Sequence, residues 1–196
     1  MASPKLTDFF ISKVRVKLLQ VFLSHPGEMY YVRQLVRATN EEINAVRREL
    51  SNMDNSGMLD KETRGNRLYY WFKTSYLFYP ELIRMVTKTT GLGNEIITQR
   101  AKLGKISFAF FSSAFVYRKE RQNQDQIDVM IVGEVVMPEI TALIQAEEAR
   151  RKQEINYTVM NDQELQLRKS GRDPFLQSIL SQSRIMIIGD EDKLLN

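Results

Sequence analysis

Residues 31–58 read YVRQLVRATNEEINAVRRELSNMDNSGM, and this stretch decides the fold of the first half of the chain. It contains two short amphipathic segments joined by a polar corner. Leu35 and Val36 are the apolar positions of the first segment. The second has apolar residues at helical spacing, which are Ile43, Val46, Leu50 and Met53. Thr39 is followed three residues later by Glu42, which predicts a capping box at the start of the second helix, and residues 55–57 (NSG) predict its end.

The outward face of the second predicted helix carries polar and basic side chains. If the four apolar positions face inward, Asn44, Ala45 and Arg48 face outward and Arg47 lies at the flank. Two helices with a tight corner between them are typical of a helix-turn-helix, in which the second helix enters the major groove of DNA. We therefore expect Asn44, Ala45 and Arg48 to contact base edges and Arg47 to contact phosphates.

A hairpin is predicted directly after this helix. Gly65-Asn66 lies between two short runs, residues 58–62 and 68–73, and is a turn signal. Lys61, Arg64 and Arg67 surround the turn, so we expect them, with Asn66 at the tip, to contact phosphates or the minor groove. This arrangement resembles the winged helix-turn-helix regulators, on residues 46–50 (VRREL) and 55–59 (NSGML) and over roughly residues 6–74. The resemblance implies that the protein binds double-stranded DNA, as a homodimer on paired half-sites.

Further elements are predicted on either side of this stretch. Residues 7–24 predict a first helix, and residues 29–31 a short strand that pairs with the wing. The apolar stripe of the first helix consists of Ile11, Val14, Leu18, Val21 and Phe22. Residues 76–89 predict a linker helix with Leu82, Met85 and Val86 on one face. Residues 91–93 (GLG) then break the chain, so we expect one domain at residues 1–90 and another at residues 91–196.

The second half alternates between apolar runs and amphipathic segments. The apolar runs predict buried strands at residues 106–111 (ISFAFF), 127–132 (IDVMIV), 155–160 (INYTVM) and 184–188 (RIMII). Helices are predicted at residues 94–103 and 138–151, and Asn161 and Asp173 each predict a further helix start. Strands that alternate with helices predict an α/β or α+β domain with a small mixed sheet.

One order of parts in this half resembles the minimal nucleotidyltransferase domain of the DNA polymerase beta type. That family has a Gly-Ser pair after its first strand and an Asp-x-Asp pair at the start of its second. The matching positions here are Ser112-Ser113 and Gln126-Ile127-Asp128. In the family, the glycine lets backbone amides approach nucleotide phosphates, and the carboxylates hold magnesium ions. The pattern at residues 155–158, 173–176 and 187–189 is similar to a subgroup in which such a domain follows a winged helix.

The departures from that pattern argue against catalysis. The glycine is replaced by Ser112 and the first aspartate by Gln126, and the third strand carries no carboxylate, although Glu154 lies just before it. Asp125 is displaced by one residue and should point to the opposite face of the strand. A single carboxylate cannot replace three around two divalent ions. We therefore expect no catalytic residue, no metal and no cofactor. The expected degenerate nucleotide and metal site consists of Ser112, Ser113, Gln126 and Asp128.

Composition narrows the function classes. The sequence has 196 residues, no Cys and one His, which excludes disulfides and zinc sites built from several histidines. It has no run of about 18 apolar residues, and its first ten residues (MASPKLTDFF) lack the apolar core of a signal peptide. We therefore expect a cytoplasmic protein without a membrane partner. Residues 1–89 hold 14 Lys and Arg against 9 Asp and Glu, whereas residues 90–196 hold 14 against 15, so the basic excess lies with the helix-turn-helix.

Three functions fit these patterns. We expect a sequence-specific transcriptional regulator whose nucleotidyltransferase-like domain is an inactive pseudoenzyme used for dimerisation or ligand sensing. The alternative is an active nucleotidyltransferase whose winged helix positions a nucleic-acid or protein substrate. A winged helix that makes only protein contacts is a third, and Glu41, Glu42 and Glu49 favour it because phosphates repel carboxylates. Whether the second domain binds a nucleotide is left open.

Overall fold

Helices and strands of the protein follow its hydrophobic periodicity over the residues that the computed structural model describes, which are 10–121 and 126–196. The chain divides into two units, Met1–Thr90 and Gly91–Asn196. Each unit combines helices with one small sheet, so the protein is of the mixed α+β class. Within the described ranges, no helix has both the length and the apolar character needed to cross a membrane.

Unit 1 packs helices against a three-stranded sheet. Its elements in chain order are α1 (Lys13–Ser24), β1 (Tyr30–Tyr31), α2 (Val32–Thr39), α3 (Ile43–Asn55), β2 (Leu59–Arg64), β3 (Arg67–Phe72) and α4 (Tyr79–Thr89). The sheet order is β1-β3-β2, and both pairings are antiparallel. The predicted short strand therefore pairs with the wing, with Tyr31 opposite Tyr69. The core side chains no more than 1% exposed include Leu18, Phe22, Leu35, Val46, Leu50, Met53 and Ile83.

The hairpin between β2 and β3 forms where the turn signal predicts it. Arg64 and Arg67 pair across the turn, which leaves Gly65 and Asn66 as its two central residues. Only Gly65 of these two has a positive φ, 57°. Glycine reaches this conformation without the steric cost that a Cβ adds, so Gly65 permits the tight turn.

Two details of the first half differ from the sequence prediction. Ile11 is fully exposed and lies outside α1, so its assignment to the buried stripe is wrong; residues 7–9 of the predicted helix lie outside the described residues. Thr39 is not the N-cap of α3. It is the last residue of α2, and its buried hydroxyl donates to the carbonyl of Leu35. Glu42 caps α3 instead, because its carboxylate accepts the amide protons of Asn44 and Ala45.

Unit 2 has a four-stranded mixed sheet. Its elements are α5 (Gly91–Thr98), α6 (Arg100–Leu103), β4 (Gly104–Ser112), α7 (Ser113–Val116), β5 (Val129–Val135), α8 (Met137–Arg151), β6 (Tyr157–Met160), α9 (Asp162–Ser170), α10 (Pro174–Leu180), β7 (Arg184–Ile188) and α11 (Glu191–Leu195). The strand order is β6-β5-β4-β7. β4 runs antiparallel to β5 and β7, and β5 runs parallel to β6. β5, one of the two inner strands, is buried on both faces from Val129 to Val132, as its continuous apolar run predicts.

The predicted start of this unit and two of its short helices need correction. Gly91 has a positive φ of 53° and lies where α4 gives way to α5 and unit 1 to unit 2, but Leu92 and Gly93 continue into the helix. They lie in the first turn of α5, and the chain bends at Thr90, which is extended with φ −138° and ψ 159°. The short helices α7 and α11 were not predicted, because four or five residues are too few to show a helical period.

Gly133 is the tightest backbone position in this sheet. Its φ is +142°, and a Cβ at this residue would overlap the carbonyl oxygen of Lys105 on the neighbouring strand. We expect Gly133→Ala to lower the free energy of unfolding of unit 2 by about 1–3 kcal/mol from backbone strain alone, measured by urea denaturation. Glu134→Ala, an exposed change on the same strand, is the control and should have little effect. Equal stability of the two variants would contradict this account of the β4–β5 contact.

Candidate functional site

The outer face of α3 presents a row of polar and basic side chains. Asn44, Arg48, Ser51 and Asn55 follow one another at spacings of three or four residues, and all four are exposed. Arg47 is exposed at one flank of this row. With the residues that the structure describes, Arg47 and Arg48 form no hydrogen bond or ion pair, and both attract only the Glu42 carboxylate at longer range. The row therefore offers an outside partner two guanidinium groups that have no ion pair among the described residues, and several amide or hydroxyl groups.

The acidic residues near α3 do not face the same way as this row. Glu49 is buried, and its carboxylate accepts bonds from Arg15 at 2.5 Å and from the Ser12 hydroxyl at 2.9 Å. Glu41 precedes α3 and pairs with Lys17 at 2.5 Å. The basic side chains Arg15 and Lys17 of α1 therefore have acidic partners within unit 1. Two of the three carboxylates that favour a protein-contact role are thus neutralised internally.

Glu42 is the acidic residue that remains exposed at the start of α3. Hydrogen bonds from the amides of Asn44 and Ala45 lower the pKa of its carboxyl below the usual 4.5. The carboxylate therefore occupies the amide groups at the helix N-terminus, where an anion would otherwise bind. A phosphate contact by unit 1 has to come from side chains rather than from this helix end.

The basic residues of the wing differ in their partners. Lys61 lies 2.5 Å from Asp54, and this bond raises the pKa of its ammonium group. Arg64 lies 2.9 Å from Glu62. Arg67 instead stacks on the ring of Tyr31, with its guanidinium carbon 4.6 Å from the ring centroid. The sequence does not distinguish these three cations. In the structure, two of them pair with a carboxylate and the third stacks on an aromatic ring.

Two predicted contact residues lie at the edges of the surface formed by α3 and the wing, and three residues that were not predicted also belong to that surface. Asn66 is exposed at the tip of the wing, whereas Ala45 is only half exposed on α3. Ser51 and Asn55 share the α3 row, and continuing the period from Asn44 and Arg48 would have found them. Arg37 contacts the hydroxyl of Tyr31, for which the sequence gives no signal.

In unit 2, Asp128 is paired with an arginine. The Asp128 side chain is 5% exposed, and its Oδ2 lies 2.5 Å from Arg121 Nη2 and 3.1 Å from Arg121 Nε. The amide of Asn156 donates to the same oxygen at 3.0 Å, and Arg121 also donates to the carbonyl of Glu154. A guanidinium thus balances the charge of the one carboxylate that matches the family's aspartate pair, and it ties that carboxylate to the start of β6.

The two serines after β4 open the short helix α7. Ser112 is buried, and its hydroxyl accepts the amide proton of Phe115 as an N-cap. The amide of Ser113 donates to the carbonyl of Ser183 at 2.8 Å. Both serines line a polar cleft of about 730 Å³, together with Lys119, Gln126 and Gln182. Gln126 donates to Gln182 at 3.4 Å, so its side chain joins the wall of the cleft.

The carboxylates needed for two-metal chemistry are not assembled in the part of unit 2 that the structure describes. β6 contains no Asp or Glu, and Glu154 contributes its backbone carbonyl to Arg121. Over residues 10–121 and 126–196, no three His, Asp or Glu side chains lie close enough together to hold a metal ion. Asp125 lies outside the described residues.

The Arg121–Asp128 pair should stabilise unit 2. Arg121→Ala leaves a buried carboxylate without its cation, so we expect a loss of about 3 kcal/mol in the free energy of unfolding, the lower end for a buried pair because Arg121 is partly exposed. In an Asp128→Asn background the same change should cost much less. Urea denaturation of the four proteins measures this coupling. A cost of Arg121→Ala that is the same in both backgrounds would show that the pair contributes nothing.

Two sites thus stand out by geometry: the α3 and wing surface of unit 1, and the polar cleft near Asp128 in unit 2. When the chain was compared with known proteins, no family model, no curated protein and no solved structure matched it.

Proposed function

We propose that unit 1 binds double-stranded DNA sequence-specifically as a winged helix-turn-helix, and that the protein is a transcriptional regulator. The observation that carries this proposal is the outer face of α3. It exposes Asn44, Arg47 and Arg48, and no carboxylate among the described residues pairs with either arginine. Arginine and asparagine are the side chains that read guanine and adenine bidentately in the major groove.

The elements around α3 support the same proposal. α2 and α3 are joined by three residues, with Asn40 in the left-handed conformation at φ 51°, which gives the tight corner of a helix-turn-helix. A helix with its side chains is about 10–12 Å across, and the major groove is about 12 Å wide. The hairpin of β2 and β3 follows α3 directly, as a wing does, and carries Lys61, Arg64 and Arg67.

For unit 2 we propose a nucleotidyltransferase-like domain that carries out no transfer and serves dimerisation or ligand sensing. Ser112-Ser113 and Asp128, on which the resemblance rests, lie at the end of β4 and just before β5. Catalysis is disfavoured because Arg121 neutralises Asp128 and because β6 offers no carboxylate. If the domain senses a small ligand, the polar cleft lined by Ser113 and Lys119 is where that ligand would bind. A homodimer suits the proposed regulator, because paired half-sites require a two-fold axis.

The two alternative functions predict different experimental results. An active transferase requires divalent metal, and its activity should depend on Asp128. A winged helix that contacts only proteins should show no preference among DNA sequences. The burial of Glu49 and the pairing of Glu41 with Lys17 weaken the main argument for this second alternative.

Selection of bound sequences from a random duplex pool tests DNA binding. We expect an enriched motif, and a palindromic one if the protein binds as a dimer. Arg48→Ala should then relax the preference at one position of the motif by about 1–3 kcal/mol, the value of one bidentate base contact. Arg84→Ala, an exposed arginine on α4, is the matched control and should leave the preference unchanged.

Two outcomes of this selection would count against the proposal. No enrichment with the parent protein would contradict sequence-specific binding altogether. An unchanged motif with Arg48→Ala would assign the readout to another residue of α3.

Incubation with labelled nucleoside triphosphates tests the absence of transfer. With magnesium or manganese and with nucleic-acid or protein acceptors, we expect no labelled product. The glycine of the family's Gly-Ser pair, one aspartate and the third carboxylate are absent here. Together these losses should raise the free-energy barrier to transfer by several kcal/mol, and every 1.36 kcal/mol costs about tenfold in rate. Label transfer that disappears in Asp128→Ala would refute the proposal. Binding of a nucleotide without transfer would support sensing.

A further inference from the structure

A cluster of tyrosine and arginine side chains lies where the start of α2 meets the wing. Tyr31 stands at its centre, at the residue before α2. Arg67 of β3 stacks on the Tyr31 ring, and Arg37 of α2 donates to its hydroxyl at 3.5 Å. Tyr69 packs edge-on against the same ring, with centroids 5.7 Å apart. Two guanidinium groups are thus gathered around one phenol on the surface of unit 1.

The charge of this cluster is uncompensated among the residues that the structure describes. Lys61 and Arg64 of the wing each lie within 3 Å of a carboxylate, so much of their positive field is cancelled locally. Arg37 and Arg67 are both exposed, and their contacts are with tyrosine. Arg37 and Arg67 therefore attract an anion more strongly than Lys61 and Arg64 do.

The stacking also prepares Arg67 for binding. A guanidinium that lies over an aromatic ring uses its flat face and keeps its N–H donors, which point outward in its plane, available for a second partner. Phosphate oxygens match this fork of donors and accept two hydrogen bonds from it. Because the ring already restricts the long side chain, less conformational freedom is lost when the phosphate binds.

We propose that the Tyr31–Arg37–Arg67 cluster is the principal contact of unit 1 with the DNA backbone, and that the acid-paired Lys61 and Arg64 contribute little. This inference rests on the proposed DNA-binding function and assigns the backbone contact within it. The cluster joins the first helix of the helix-turn-helix to the wing. In this motif the first helix crosses the DNA backbone while the second reads the bases.

The salt dependence of binding to a fixed duplex distinguishes the cluster from the acid-paired cations Lys61 and Arg64. Each lost phosphate contact should reduce the slope of log K against log salt by about 0.9. Arg37→Ala with Arg67→Ala should therefore reduce the slope by about 1.8 and weaken binding to all sequences alike. Lys61→Ala with Arg64→Ala removes the same charge from the same unit and is the matched control, with an expected reduction below about 0.9. Fluorescence anisotropy titrations at several salt concentrations measure both.

Substitutions of Tyr31 test the stacking itself. Tyr31→Phe keeps the ring under Arg67 and should bind DNA as the parent does within about twofold. Tyr31→Leu removes the ring and should weaken binding several-fold without changing the salt slope, because the guanidinium is still present but no longer held. Equal effects of Tyr31→Phe and Tyr31→Leu would overturn the role of the ring.

The outcomes separate this inference from the function on which it rests. If the parent binds no duplex at any salt concentration, the proposed function fails and this assignment fails with it. If the parent binds but the two double variants change the slope equally, DNA binding stands and the assignment of the backbone contact to the cluster is wrong. Circular dichroism would check that each variant is folded, and we expect this of the two double variants because all four substituted side chains are exposed.

Discussion

The ion pair between Glu49 of α3 and Arg15 of α1 sets the orientation on which the surface of unit 1 depends. The two side chains lie 2.5 Å apart, and Ser12 donates a second hydrogen bond to the largely buried carboxylate. A buried carboxylate is stable only when it is paired and hydrogen-bonded, so Glu49 can be buried in the core only with α3 turned toward Arg15 and Ser12. Together with the apolar contacts of Val46 and Leu50, the pair turns the row that contains Arg48 toward solvent.

A related constraint operates in unit 2, where Arg121 meets Asp128. In each pair, an arginine elsewhere in the chain binds a carboxylate that bears on the proposed function. The arginine is 34 residues away for Glu49 and 7 for Asp128. In unit 1 the pairing removes a negative charge from the neighbourhood of the proposed DNA surface. In unit 2 the pairing gives Asp128, which resembles a metal ligand of the transferase family, a structural partner in Arg121. The same kind of ion pair thus favours the proposed DNA contact in unit 1 and disfavours metal binding by Asp128 in unit 2.

Much of the fold follows from local sequence. The spacing of Val46, Leu50 and Met53 places one face of α3 in the core, and Gly65-Asn66 places the wing turn. The continuous apolar run of β5 identifies one of the two inner strands of the mixed sheet. Element ends were less predictable, because capping depends on which competing side chain reaches the helix amides. Thr39 fits the capping pattern but bonds back to Leu35, and Glu42 takes its place.

The sequence by itself determined the periodic elements, the polar outer face of α3 and the residues missing from the transferase pattern, since each depends on residue type and short-range spacing. Tertiary structure alone decided which charges are free. Lys61, Arg64 and Arg67 are equivalent in the sequence, yet Asp54 and Glu62 hold the first two while Tyr31 holds the third. The field of a cation depends on the distance to its nearest opposite charge. That distance is set when strands pair and helices pack, which short-range spacing does not specify.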